Sequence, residues 1–146
     1  MHEACHAVLA KLQGMKIVSC NMGRKSESDG LPHCLLSIEV DDVGSATPAQ
    51  LKAGVIAAIG PEAVYGLMTK SSGYDIRMAL EWAEKLVGHE MADKFVTAQI
   101  LVARQMVREH IHLIKAVAAR LEKDEEITDA QVQEMIDSAV PVGQTA

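Results

Sequence analysis

His2, Glu3 and His6 open this chain in the order His-Glu-Ala-Cys-His, and that spacing specifies a chemistry. On a helix turning about 100° per residue, His2 and His6 fall about 40° apart and one turn distant, so both imidazoles reach one metal ion. Glu3, about 100° round from His2, is not a ligand itself but can touch a metal-bound water. A zinc hydrolase needs this arrangement: the metal lowers the water's pKa, and the glutamate takes its proton and returns it to the leaving group. The motif does not stand alone. With six His and twelve Glu in 146 residues, a shuffled chain contains it in about one case in fifty. Two histidines at this spacing are otherwise plain surface residues, so a third ligand has to come from elsewhere.

The composition bounds the setting. A chain of 146 residues is one domain's worth and buries a real core. Hydrophobic residues make up 49% but aromatics only 3%, with eight Met, a composition that favours helices. The net charge of −6 and a pI near 5.5 argue against nucleic-acid binding through phosphate neutralisation. No apolar run approaches the roughly 18 residues that span a bilayer, and the chain opens on a polar motif with no signal-peptide pattern. Cys5, Cys20 and Cys34 are odd in number and none lies in a CxxC. They are expected as free thiols in a reducing cytoplasm.

Hydropathy periodicity supplies the elements that must position the motif. Residues 2 to 13 have helical spacing and stop at Gly14. Lys11 falls about 180° from His2, and Val8 and Leu12 line another side, so this helix has a buried face besides the catalytic one. "KIVSCNM" (16 to 22, with Val18, Cys20 and Met22 on one face) and "HCLLSIEV" (33 to 40) have strand character, and polar "GRKSESDGLP" between them suits a long hairpin loop. Thr47 and Gln50 have capping-box spacing, and Pro48 fits the first turn of a second helix ending at Gly60-Pro61. A short helix from Pro61 to Met68, a loop "TKSSG" and an amphipathic helix over 74 to 87 follow, with Gly88 a break or kink. One long helix is expected from His89 to Lys123. A final helix is capped by Thr128 with Gln131, and a loose tail covers 141 to 146, leaving residues 1 to 140 as the domain.

"KSSGYDIRMALEWAEKL" sets Asp75 in the first turn of its helix, 69 residues beyond His6, where the helix dipole favours the ionised carboxylate that zinc requires. Glu62, after Gly60-Pro61, is the second candidate for third ligand, although an acid there also simply favours a helix N-terminal turn. HEACHAVLA, a strand-rich insert, "LKAGVIAAIGPEAVYGLM" and then "SSGYDIRMALEWA" follow one another in an order that resembles the peptidase domain of the FtsH-type zinc proteases. The closing stretch "LIKAVAARLEKDEEITDAQVQEMI" is similar to that family's last helices, so the resemblance covers nearly the whole chain.

The resemblance implies a mainly α fold, a helical HExxH zinc-peptidase domain with a small antiparallel β-hairpin inserted after the first helix. It implies zinc held by His2, His6 and Asp75, and Glu3 as general base. The activity implied is metalloendopeptidase cleavage of unfolded or loosely folded polypeptides. Departures from the family pattern are specific. Nothing here reads as the GxxxxGK[ST] phosphate loop of the family's ATPase module, so a partner ATPase in trans or a homo-oligomer is the expected assembly. Cys5 replaces the small Gly between the histidines, where it is expected to face the core. "IGPEAV" lacks the second Gly and the Arg of the family's GGRAAE-like helix, and the linker before the C-terminal helix is shortened. With the chain beginning at Met1, His2 has no preceding turn to hold it, and fraying there weakens the site. These departures keep open an alternative: a non-catalytic peptidase-like binding module that retains the fold, with or without the metal.

The remaining candidates are weaker. His110 and His112 lie about 200° apart on a helix and cannot share a metal; His33 and His89 lack partners at ligand spacing. "EKDEE" (122 to 126) suits a solvated turn, and the stripe Ile100, Val107, Ile111, Ile114 and Leu121 suits a core or helix-helix contact. Either strand suits an edge on which a polypeptide substrate adds as a further strand, or both cover the back of the core. No nucleic acid and no membrane segment are expected.

Overall fold

Apolar spacing changes from a helical to a strand period and back along the chain, and the structure follows those changes. It is a computed structural model that describes residues 1–22, 33–37, 46–65 and 72–144. The elements are α1 (His2–Leu12), β1 (Lys16–Asn21), β2 (His33–Ser37), α2 (Pro48–Tyr65), α3 (Ser72–Val87), α4 (His89–Glu109), α5 (Ile111–Asp124) and α6 (Asp129–Gln144). The fold is mainly helical, as expected. No described helix is long and apolar enough to cross a membrane.

α1 is the central element. Every residue from Glu3 to Ala10 is buried, so the helix has no solvent face over that stretch, and a helix covered on all sides belongs to the core. On one side it packs with Ile17 and Cys20 of β1, Leu113, Ile114, Val117 and Leu121 of α5, and Val132 and Ile136 of α6. Its end is fixed by a Schellman motif: Met15 N–H bonds Ala10 O at 2.9 Å and Gly14 N–H bonds Lys11 O at 3.1 Å. Gly14 adopts φ +81°, a conformation that costs a glycine nothing.

α2, α3 and α4 form a second packed layer around Val55, Ile59, Ala79, Ala83, Val96 and Ala103. The start of α2 is capped reciprocally, Thr47 N–H to Gln50 Oε1 at 2.8 Å and Gln50 N–H to Thr47 Oγ1 at 3.2 Å; Thr128 and Gln131 repeat the device ahead of α6. The expected stop at Gly60-Pro61, with a separate helix to Met68, is corrected: α2 runs unbroken through both residues to Tyr65. Residues 66 to 68 and 69 to 71 of the expected helix and loop lie outside the described residues. Gly60 is a contact residue, not a terminator. A Cβ there would collide with Leu9 Cδ1 and lie 3.3 Å from Cys5 Sγ, so its hydrogen lets α1 and α2 approach closely.

A second correction concerns the expected helix from His89 to Lys123. It breaks at His110 (φ −120°, ψ 20°), whose N–H is shared between the Met106 and Val107 carbonyls. The break divides one apolar stripe between two cores. Ala92, Val96 and Ala103 of α4 pack with α2 and α3, whereas Leu113, Ile114, Val117 and Leu121 of α5 pack with α1. α6 extends to Gln144, four residues into the stretch expected as a loose tail.

β1 and β2 pair antiparallel, Lys16 opposite Ser37 and Cys20 opposite Cys34. The connecting residues 23 to 32 and residues 38 to 40 of the expected second strand lie outside the described residues. The strand faces differ from simple alternation. A bulge between Ile17 and Ser19 turns Ile17 and Cys20 both inward and leaves Val18 58% exposed, because one extra residue flips the side-chain phase. β1 also has a neighbour on its other edge. Met22 N–H bonds Glu125 O at 2.8 Å, Ile127 N–H bonds Cys20 O at 3.0 Å, and Ile17 N–H bonds Asp129 Oδ1 at 2.8 Å.

Candidate metal centre

The first two turns of α1 and the first turn of α3 meet. His2 and His6 come from one, Asp75 from the other, and three atoms form a nearly equilateral triangle. His2 Nε2 to Asp75 Oδ2, His6 Nε2 to Asp75 Oδ2 and His6 Nε2 to His2 Nε2 are each 3.1 Å. A tetrahedral ion with bonds of about 2.0–2.1 Å needs donors about 3.3 Å apart. Two neutral imidazoles and one carboxylate at this separation therefore fit a small divalent cation in both chemistry and size. Among the described residues this is the group of three His, Cys, Asp or Glu side chains that can hold a metal ion.

α2 aims His6. Its Nδ1 lies 2.7 Å from the Ala57 carbonyl, and a carbonyl only accepts, so a proton sits on Nδ1 and Nε2 is the nitrogen left to face the triangle and to exchange its proton for a metal ion. That carbonyl is available for a local reason. In an α-helix the Ala57 oxygen accepts from the amide four residues on, which is Pro61, and proline has no N–H. The proline inside α2 thus leaves its acceptor to the ligand from α1. No sequence motif points to Ala57. The signal that could have found it is a proline four residues after a position facing the histidine helix.

The triangle attracts positive charge. Burial would lower the pKa of His6, but the Asp75 hydrogen bond and charge, then the Glu3 charge and the Ala57 carbonyl, reverse the effect and leave it pushed up to about 9. Burial raises Asp75, and the hydrogen bonds and charges of His2 and His6 overcome it, holding the carboxyl below its ordinary value. A proton or a metal ion meets the same demand. Glu3 completes the group: it is buried, and its Oε1 is 3.9 Å from His2 Nε2.

The structure brings together all four residues expected from the sequence, His2, Glu3, His6 and Asp75. Glu62 is not among the three donors. It is buried on α2, where its charge adds to burial in pushing the Cys5 thiol up to about 12. Cys5 is buried against Gly60, as its small size in the core suggested. His110 is half-buried at the α4–α5 junction and His112 exposed; His89 Nδ1 lies 3.4 Å from Glu84 Oε2 on the surface. No protein-family model matches this sequence, and no curated protein matches it.

Proposed function

We propose that this chain is a zinc-dependent metalloendopeptidase of the FtsH type, acting on unfolded or loosely folded polypeptides. The observation that carries the reading is the His2–His6–Asp75 triangle with a buried Glu3 carboxylate beside it. A purely structural zinc site closes with four protein ligands and has no use for a carboxylate base.

Bound there, zinc would supply Lewis-acid polarisation of a carbonyl and a water acidic enough to react at neutral pH. The chain's own residues do the rest. The Ala57 carbonyl fixes the tautomer and direction of His6. Asp75, held ionised, supplies the negative charge. Glu3 is placed to accept a proton beside the triangle and to deliver it to the leaving amine. β1 is bonded on one edge to β2 and on the other to the α5–α6 connection, so β2 is the strand on which this reading places an extended substrate. Folded substrates call for an ATPase partner in trans, a homo-oligomer is the other assembly that goes with this reading, and the cytoplasm is its compartment.

The test is cleavage of a denatured casein-like chain with added zinc, wild type against Glu3→Gln. The expected result is activity that requires zinc and falls by about 10²–10⁴-fold in the variant while zinc content is unchanged. Full zinc occupancy without cleavage of any unfolded protein or peptide library would instead favour a peptidase-like binding module.

A further inference from the structure

Cys20 and Cys34 stand directly opposite each other across the β1–β2 pair. Their position in the ladder follows from the backbone bonds of β1. The Cys20 carbonyl accepts from Ile127, and the Met22 amide donates to Glu125. In an antiparallel strand the N–H and C=O of one residue point to the same side, so those of Cys20 point away from β2. Cys20 and Cys34 are therefore a non-hydrogen-bonded pair, the kind in which Cα atoms approach to about 4.5 Å and side chains are closest. That separation falls within the range of about 4.4–6.8 Å that a disulfide bridges. The two thiols are near enough for Cys20 to raise the Cys34 thiol. Cys20 is 2% exposed and Cys34, packed against the same core, is half-buried, so Cys34 is the more accessible of the two. On the inner side Cys20 Sγ lies 3.9 Å from the Glu3 carbonyl of α1.

We propose that Cys20 and Cys34 are an oxidative modification site, a cross-strand dithiol that closes to a disulfide when it meets a hydroperoxide. The Cys34 thiolate attacks one peroxide oxygen; the O–O bond breaks, leaving a sulfenic acid on Cys34 and one water once the released hydroxide is protonated. Cys20, losing its proton, attacks the Cys34 sulfur, forms the S–S bond and expels hydroxide, which becomes a second water. Two thiols and one peroxide give one disulfide and two waters, the thiols losing two electrons and the peroxide gaining them. The product is uncharged, so the burial that disfavours a thiolate does not oppose it. The Cys20 thiol, burial and the Glu3 and Asp75 charges all raise the Cys34 thiol, which makes the first step slow at neutral pH and faster as pH rises. Cys5 takes no part because α1 holds it at the Gly60 contact. The proposal does not rest on peptidase activity. Its place in the fold puts the new bond against the turn of α1 that carries Glu3.

Chain length separates this proposal from chance pairing. Cys5 to Cys20 spans 15 residues and Cys20 to Cys34 spans 14, so loop-closure entropy hardly distinguishes the two bonds. The experiment treats the full chain with limiting hydrogen peroxide, native and in urea, and maps the products by mass spectrometry of non-reduced digests. In the native chain the expected product is Cys20–Cys34 alone, with a mass lower by two hydrogens and one of three thiols left to alkylate. In urea the Cys5–Cys20 bond should appear in comparable yield. Cys34→Ser should remove the intramolecular bond and Cys5→Ala should leave it. A native product dominated by Cys5–Cys20, by chains linked to each other, or by sulfinic acid on Cys34 without a bond would overturn the proposal. So would a native chain that keeps all three thiols under conditions that cross-link it in urea.

Discussion

Asp75 and Asp129 are the same device at opposite ends of α1. Each lies in the first turn of its helix, α3 and α6, where the dipole favours an anion. Each bonds to residues of α1, and each is held below the ordinary carboxyl range against the opposing effect of burial. Their partners differ in kind. Asp129 receives a lysine ammonium, Lys11 Nζ at 3.1 Å from Oδ1, and the Ile17 N–H at 2.8 Å. Both partners present a hydrogen to the carboxylate rather than a lone pair to an ion. Asp75 faces two imidazole nitrogens, each able to exchange a proton for a metal ion. Asp129 pins α6 to the α1–β1 turn; Asp75 leaves a set of donors that a cation can organise. Helix-start acids tie this fold together, and the partner decides whether the tie is structural or chemical.

The largest test of that contrast is zinc binding. Asp75→Ala is expected to weaken zinc affinity by more than about 100-fold, since loss of a direct ligand exceeds the 10–100-fold cost of losing an outer partner. Asp129→Ala and Glu62→Ala should leave it unchanged. Competition titration with a chromophoric chelator measures all three. Unchanged affinity in Asp75→Ala with loss in Glu62→Ala would reassign the third ligand.

A smaller and sharper test uses Pro61. Pro61→Ala restores an amide that competes with His6 for the Ala57 carbonyl. Zinc affinity should fall by about tenfold. Thermal stability of the metal-free chain should not fall, because replacing a helix-interior proline recovers up to about 3 kcal/mol of helix propensity and offsets the lost packing. A proline with only a packing role would give the reverse, lower stability and unchanged zinc affinity.

What the sequence could and could not reveal divides along the same physical line. The capping boxes at Thr47 and Thr128, the stop at Gly14 and the strand character of 16 to 22 were legible because each rests on residues within one turn or one strand. The candidate centre was legible for a different reason. A helical repeat fixes His2, Glu3 and His6, and Asp75 was placed through the order of segments that follows them. Gly60-Pro61 misled because glycine and proline carry a local meaning, while here one opens the α1–α2 contact and the other frees a carbonyl. The break at His110 had no glycine or proline to announce it; it is set by two cores competing for one apolar stripe. The three cysteines are free, as expected, but the placement of Cys20 opposite Cys34 was not legible, because register, fixed by the bulge and by the Ile127 and Glu125 bonds, is not written in spacing. The Lys11–Asp129 contact was missed for the same reason, its partners being 118 residues apart.

The smallest expected effect is at that contact, where pH separates the two acids. The Asp129 side chain is 28% exposed against 15% for Asp75, so solvent screening keeps the charge contribution of its ion pair below about 1 kcal/mol. Asp129→Asn isolates that charge, because the amide oxygen can still accept the Ile17 N–H. The folded value of Asp129 is depressed below the ordinary 3.8, so its unfolded form binds more protons as the solution is acidified. Its stabilising contribution is complete above the unfolded value and disappears as pH falls through the folded one. Urea denaturation of the metal-free chain at about pH 7 should therefore find Asp129→Asn less stable than wild type by a few tenths to about 1 kcal/mol. The gap should close toward about pH 2, with unchanged m values. A gap that persists in acid would mean that the carboxylate acts through packing or through the Ile17 bond rather than its charge. The parallel with Asp75 would then fail at the electrostatic step on which it rests.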